Sequence, residues 1–142
     1  MSRIKRGSPP KKKGNIPLVA EEDKRIRLTF SFRHLDLHLN AKFSLTRCQD
    51  GYIDTLLKRL RDLSHNTIGE LVGNRSRALR SHPINWSETT EKAGFTCLNT
   101  QLRAKEAWQF ELTRDKHGRV HGFLMDDTFY VVWIDPDHKL YS

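Results

Sequence analysis

The sequence contains little cysteine and no long apolar stretch. Cys48 and Cys97 are too few for a disulfide framework and lack the CxxC spacing, so both thiols are expected to be reduced. The longest apolar run, Phe129 to Ile134, has six residues, whereas a membrane-spanning helix needs about 20. No apolar leader follows Met1. These features predict a soluble, cytoplasmic protein with no membrane partner.

The sequence also lacks the motifs that mark common cofactor sites. Neither GxxxxGK[ST] nor GxGxxG occurs, and no GxSxG marks a nucleophilic serine. His34 and His38 lie in an alternating stretch, where four residues span roughly 13 Å, too far for one zinc ion. The same spacing separates His117 from His121. We therefore expect no metal and no cofactor.

Acidic residues are absent from the first 17 positions. This segment carries six basic residues, giving +6 of the net charge of +8. With its prolines and glycines it is typical of a disordered basic arm, and Lys11, Lys12 and Lys13 are candidate RNA-binding residues. A solvated tail that only aids solubility explains the composition equally well. Residues 18–142 are expected to form one domain.

Alternation and helical spacing indicate an α+β fold. Leu28, Phe30 and Phe32 alternate with polar residues, and the alternation changes phase into Leu35, Leu37 and Leu39, which predicts a strand with a bulge near Arg33–His34. A second short piece covers 43–45. Asp50 is the predicted N-cap of a helix whose apolar positions are Ile53, Leu56, Leu57, Leu60 and Leu63. A shorter helix is predicted over 66–72, ending at Gly73, and Ser87 is the predicted N-cap of a further helical turn.

The C-terminal third predicts three antiparallel strands in a meander. Trp108, Phe110 and Leu112 share one face, residues 119–125 return, and residues 128–134 form a buried strand. Arg119 and His121 share a face of the second strand, and His138, Lys139 and Tyr141 follow the third. Imidazole and guanidinium groups suit metal-free cleavage of phosphodiesters. Histidine and arginine are also common on exposed strand faces.

The stretch "LTRDKHGRV", the turn Asp126–Asp127, the apolar strand and the ending "DHKLY" resemble the C-terminal half of RelE/ParE-superfamily toxins, most closely the YoeB-like ribonuclease branch. The resemblance implies a helix pair packed on a curved antiparallel sheet with a C-terminal meander. It also implies roles for individual residues. Arg119 would stabilise the phosphorane, His138 would be the general acid, and Tyr141 would orient base or phosphate. These three side chains are expected to converge on one face of the sheet, because antiparallel pairing across the Asp126–Asp127 turn places the start of one strand beside the end of the next. Glu106 and Glu111 are both candidates for the general base.

The resemblance implies a toxin endoribonuclease that cleaves mRNA, in association with the ribosome, by attack of the 2′-hydroxyl. Its partners would be RNA and a cognate antitoxin protein. Residues 56–82 carry a net charge of +4, so RNA is expected to contact the basic side chains there, namely Lys58, Arg59, Arg61, Arg75, Arg77 and Arg80. The alternative is a non-catalytic RelE-like module that binds a protein or nucleic acid within a larger assembly.

Overall fold

The computed structural model describes residues 25–37, 41–114 and 117–141. Lys11, Lys12, Lys13 and the rest of the basic arm lie outside these ranges. The described chain forms a five-stranded sheet in the order β1-β5-β4-β3-β2. The strands are β1 (Thr29–Ser31), β2 (Ser81–Pro83), β3 (Ala107–Glu111), β4 (Arg119–Met125) and β5 (Thr128–Asp135), and the helices are α1 (Tyr52–Leu63), α2 (Ile68–Val72) and α3 (Thr100–Arg103). The α+β class is as predicted.

The C-terminal meander is confirmed. β3 pairs antiparallel with β4, which pairs antiparallel with β5 across the Asp126–Asp127 turn. At the centre, a Cβ on Gly122 would lie 2.1 Å from the carbonyl oxygen of Tyr130. The strands can approach this closely only because position 122 has no side chain. The register shifts between His121 and Gly122, which leaves Val132 as an extra residue on β5.

The prediction of a wholly antiparallel sheet was wrong. β1 pairs with β5 in parallel, with Phe30 opposite Phe129. No hairpin joins these two strands, so chain connectivity does not force them to run in opposite directions. β1 is also shorter than predicted, since the chain turns at 33–34 and no described residue from 35 to 37 is in a strand. The piece at 43–45 falls within two 3₁₀ turns, Ala41–Phe43 and Leu45–Arg47.

The predicted helix at 50–63 is present, but its start and its apolar face differ from the prediction. Gly51, not Asp50, is the N-cap, and its φ of 82° is one that glycine adopts without strain. The buried residues are Tyr52, Leu56, Leu60 and Leu63. Ile53 and Leu57 point outward and are 56% and 60% exposed. The buried face of this helix is therefore rotated by about one residue position from the face that the sequence predicted.

The second helix follows its prediction more closely. Thr67 and Glu70 form a capping box at the start of α2, and Gly73 ends it. Trp86–Glu88 forms a 3₁₀ turn preceded by Asn85, so the predicted N-cap at Ser87 was two residues late. Among the described residues, no helix is both long and apolar enough to cross a membrane.

Both faces of the sheet are covered. One core cluster joins α1 and α2 to residues of β3, β4 and β5, including Phe110 and Phe129. The second lies on the other face, where Phe43, Phe95 and Leu140 pack around Trp133. Burial on both faces explains why β5 is a continuous apolar run rather than an alternating strand. The apolar residues buried in the meander and in α1 include Trp108, Phe110, Leu112, Phe129, Val131, Trp133, Leu56, Leu60 and Leu63.

Replacement of Trp133 by alanine should destabilise the protein by about 3–5 kcal/mol. The indole is 2% exposed, stacks on Phe43 and donates its Nε1–H to Asp36, so truncation leaves a cavity and removes this hydrogen bond. Chemical denaturation of Trp133→Ala beside Ile53→Ala, which removes an exposed side chain of α1, measures the difference. Equal midpoints for the two variants would contradict this packing.

Candidate phosphodiester site

Arg119 lies at the first position of β4, where the sheet register sets its neighbours. It pairs with Glu111 of β3 on one side and with Asp135 of β5 on the other. Its Nη1 is 2.7 Å from Glu111 Oε2, and its Nε donates to His138 Nε2 at 3.0 Å. The side chain is 22% exposed. The guanidinium therefore connects a carboxylate and an imidazole at the edge of a pocket.

His138 reaches Arg119 because the chain turns sharply after β5. The turn passes through Pro136, and His138 adopts a φ of 54° while donating its backbone N–H to the carbonyl oxygen of Asp135. Partial burial and the neighbouring charge of Arg119 lower the pKa of His138 below its usual value. The imidazole is thus neutral near pH 7, as its acceptance of the Arg119 hydrogen bond requires. The expected contact between Arg119 and His138 is confirmed.

A buried carboxylate holds this turn. Asp135 is 0% exposed and accepts the backbone N–H groups of Lys139 at 2.7 Å and Leu140 at 3.0 Å. His121 Nε2 completes the arrangement, 2.9 Å from Asp135 Oδ2. Burial opposes ionisation of Asp135, but these hydrogen bonds outweigh it and lower the pKa of the carboxyl. An ionised Asp135 therefore fixes the backbone immediately after His138.

His121 was expected beside Arg119 as a catalytic candidate, but the structure buries it completely. Its ring is 0% exposed and packs edge-on against Phe43. Burial lowers the pKa of His121, and its Nδ1 has no partner among the described residues, so the neutral ring donates from Nε2 to Asp135. Phe43, which covers this face of the sheet, is far away in sequence. The alternation of residues within β4 could not reveal that Phe43 covers His121. His121 therefore acts as a buried hydrogen-bond donor to Asp135.

The two glutamate candidates lie in different places. Glu106 is exposed just before β3, five residues from Glu111 and so roughly 16 Å away along the strand. Its predicted place in the site is wrong. Glu111 is 17% exposed and contacts Arg119, Arg80 and His82. Burial would raise the pKa of Glu111, but the hydrogen bond from Arg119 and the surrounding positive charge lower it overall.

Tyr141 lies apart from Arg119, contrary to the expected convergence of Arg119, His138 and Tyr141. Its hydroxyl accepts the backbone N–H of Asn85 at 3.0 Å. Ile84, the residue before Asn85, donates its backbone N–H to the carbonyl oxygen of Ala107 at the start of β3. Arg119 instead pairs with Glu111 at the end of that strand. The tail crosses the second face of the sheet because Leu140 is buried in the core there. Tyr141 is consequently carried to the opposite end of the sheet.

A pocket of about 250 Å³ opens beside Arg119 and contains a histidine that the sequence analysis did not select. Its walls come from the turn before β4, the turn after β5 and Gln49, and its ionisable side chains are Arg114, His117, Arg119, Asp137 and His138. His117 was considered only as a metal ligand. The signal available in the sequence was "KHG", because histidine tolerates a left-handed turn conformation before glycine. Within the described ranges, no group of three or more His, Cys, Asp or Glu side chains is placed to hold a metal.

The basic residues predicted to bind RNA are distributed unevenly. Arg59 is turned inward, donating to the carbonyl oxygens of Glu111 and Leu79, and burial lowers its pKa to about 10. Arg80 pairs with Glu111. Lys58 and Arg61 are exposed but lie beside Asp54 and Asp62, respectively. Arg75 and Arg77 are exposed in the turns after α2.

The buried His121 should make folding stability depend on pH. Its pKa is lowered in the folded state, so below the ordinary value near 6.5 the unfolded chain binds more protons than the folded one. Stability is therefore complete above that value and falls as the pH drops, by at most about 1.4 kcal/mol per pH unit for one proton. Urea denaturation at pH 7.5 and 5.5 should show a smaller loss in His121→Gln than in wild type.

His65→Gln, which replaces an exposed histidine after α1, is the matched control for the pH measurement and should lose as much stability as wild type between the two pH values. If His121→Gln loses as much stability between the two pH values as wild type, His121 is not the neutral buried donor described above.

No protein-family model matches this sequence, no curated protein is significantly similar to it, and no solved structure matches it.

Proposed function

We propose that this protein is a metal-independent endoribonuclease of the RelE-like toxin type. The observation that carries the proposal is the 3.0 Å contact between Arg119 and a neutral His138 at the edge of an open pocket. Guanidinium is the group best suited to a phosphate, and imidazole is the side chain that transfers protons near neutral pH. The α+β sheet and helix pair are compatible with a RelE-like fold, which is part of the proposal.

Phosphate binding would reorganise the Arg119–His138 contact. His138 cannot carry a proton on Nε2 while it accepts the Arg119 hydrogen bond, and the Arg119 charge disfavours that proton. A phosphodiester between the two side chains would take the Arg119 donor and offset its charge, so His138 could be protonated. His138 would then act as the general acid, and Arg119 would stabilise the phosphorane.

The cellular setting follows from the same proposal. A toxin of this type would act on mRNA, in association with the ribosome, in the cytoplasm, and a cognate antitoxin would hold it inactive. Glu111 would act through Arg119 as a positioning residue, because its carboxylate is surrounded by three cationic or ionisable partners. Tyr141 would hold the tail on the second face rather than orient a base.

Arg119→Ala should lose about 10²-fold or more in RNA cleavage, because it removes the charge that stabilises the transition state. His138→Ala should lose a similar factor through the missing proton donor. Tyr141→Phe, which alters only the distant contact with Asn85, should cleave within a few-fold of wild type. Cleavage of free RNA is measured in EDTA and in Mg²⁺, and cleavage of ribosome-bound mRNA is measured in Mg²⁺, which intact ribosomes need. The products should carry 2′,3′-cyclic phosphate and 5′-hydroxyl ends.

If the wild-type protein cleaves no RNA under these conditions, with or without ribosomes, the ribonuclease proposal fails. RNA or protein binding that persists in Arg119→Ala would then favour the non-catalytic binding module. Cleavage that requires a divalent cation would contradict the metal-independent mechanism while leaving the substrate class intact.

The basic arm is the proposed main source of RNA affinity, since several cations of the folded domain are already paired. Deletion of residues 1–17 removes six positive charges. If all six contact phosphates, the slope of log K against log salt for single-stranded RNA should become less steep by about 4. Filter binding across a salt series measures this slope. An unchanged slope would mean that the arm does not contact RNA.

A further inference from the structure

The proposed ribonuclease still lacks a general base. Glu106 lies at the far end of β3, and Glu111 is engaged with Arg119, Arg80 and His82. Glu111 is also not among the residues that line the pocket. Its lowered pKa weakens it further as a base for a hydroxyl proton. The group that removes the proton from the 2′-hydroxyl must therefore be one of the residues that line the pocket.

His117 has the placement that this role requires. It lines the same pocket as Arg119 and His138, from the turn that leads into β4. The ring packs edge-on against Tyr52 of α1, with centroids 5.4 Å apart, which fixes its orientation. Its Nδ1 is buried without a hydrogen-bond partner among the described residues, so Nε2 is the nitrogen that a ligand in the pocket can reach.

The backbone around His117 is held against the tail that carries His138. His117 and Gly118 both adopt a φ of 62°, and a Cβ on Gly118 would lie only 1.8 Å from the carbonyl oxygen of Asp135. Only glycine allows this approach. The turn before β4 therefore packs directly on the start of the turn after β5, which brings the two histidines to the lining of one pocket.

We propose that His117 is the general base of this site, paired with His138 as general acid across Arg119, for cleavage of single-stranded RNA. This inference rests on the proposed ribonuclease function. His117 Nε2 removes the proton of the 2′-hydroxyl, and O2′ forms a bond to phosphorus. The bond from phosphorus to O5′ breaks, and O5′ takes the proton from His138. The products are a 2′,3′-cyclic phosphate and a 5′-hydroxyl. His117 has gained one proton and His138 has lost one.

Other charged and titratable side chains line the pocket or contact His117. Arg114 lies on the same turn as His117, Tyr52 contacts its ring from α1, and Asp137 contributes from the tail. Asp137 is paired with Arg47 at 2.7 Å, so its carboxylate is already engaged. Burial raises the pKa of Tyr52 well above its usual value, so it stays protonated. The two imidazoles are left as the pocket groups for the proposed proton transfers.

The test replaces each histidine by asparagine, which tolerates the left-handed backbone at both positions. Each variant should lose about 10²-fold or more in kcat/KM while melting within a few degrees of wild type. The residual activity of His117→Asn should fall steadily as pH rises, because only the acid remains. That of His138→Asn should rise steadily, because only the base remains. His65→Asn, an exposed histidine after α1, is the control for substitution alone.

A modified substrate separates the two roles. The probe is an RNA oligonucleotide with a 5′-bridging sulfur at the cleavage site mapped for the wild-type protein. Its thiolate leaving group needs no proton, so the modification should restore cleavage by His138→Asn but not by His117→Asn. Restoration of both or of neither would overturn the assignment of base and acid.

Failure of this inference is distinguishable from failure of the proposed function. If wild type cleaves RNA but His117→Asn keeps wild-type activity and pH dependence, His117 is not the base and the ribonuclease proposal survives. If wild type does not cleave RNA at all, both fail together.

Discussion

The buried Asp135 carboxylate is the interaction on which the site depends. It lies at the last position of β5 and accepts two backbone N–H groups from the tail and one ring N–H from His121. A buried charge is tolerated only when such donors compensate for its lost hydration. Those donors determine where the chain goes after β5, and so place His138 against Arg119. The orientation of an exposed histidine is thus decided by a carboxylate that solvent cannot reach.

Around this anchor, the positive charge of Arg119 is balanced by neighbouring side chains. Arg119 lies between Glu111 and a neutral His138, and Arg80 shares the same glutamate. These contacts hold the guanidinium of Arg119 at the edge of the pocket, where the proposed phosphate would take the hydrogen bond that Arg119 donates to His138.

The second face of the sheet connects the fold to the site. Leu140 is buried beside Trp133, and Tyr141 bonds to the backbone after β2, so the end of the tail is held on this face of the sheet. Packing at one end of the tail and hydrogen bonds at the other leave His138 in a defined turn between them. This covering layer is also why His121 is buried and why the middle of β5, Phe129 to Ile134, is apolar.

Local sequence determined the meander, the two helices and the encounter of Arg119 with His138, because alternation, capping residues and hairpin register act between near neighbours. The parallel pairing of β1 with β5, the cover over His121, the removal of Tyr141 from the site and the place of His117 were decided by tertiary structure. Each depends on segments distant in sequence, such as Phe43 over His121 and Tyr52 beside His117. Periodicity shows which side chains share a face of a strand, but only packing decides whether that face meets solvent or another layer of the protein.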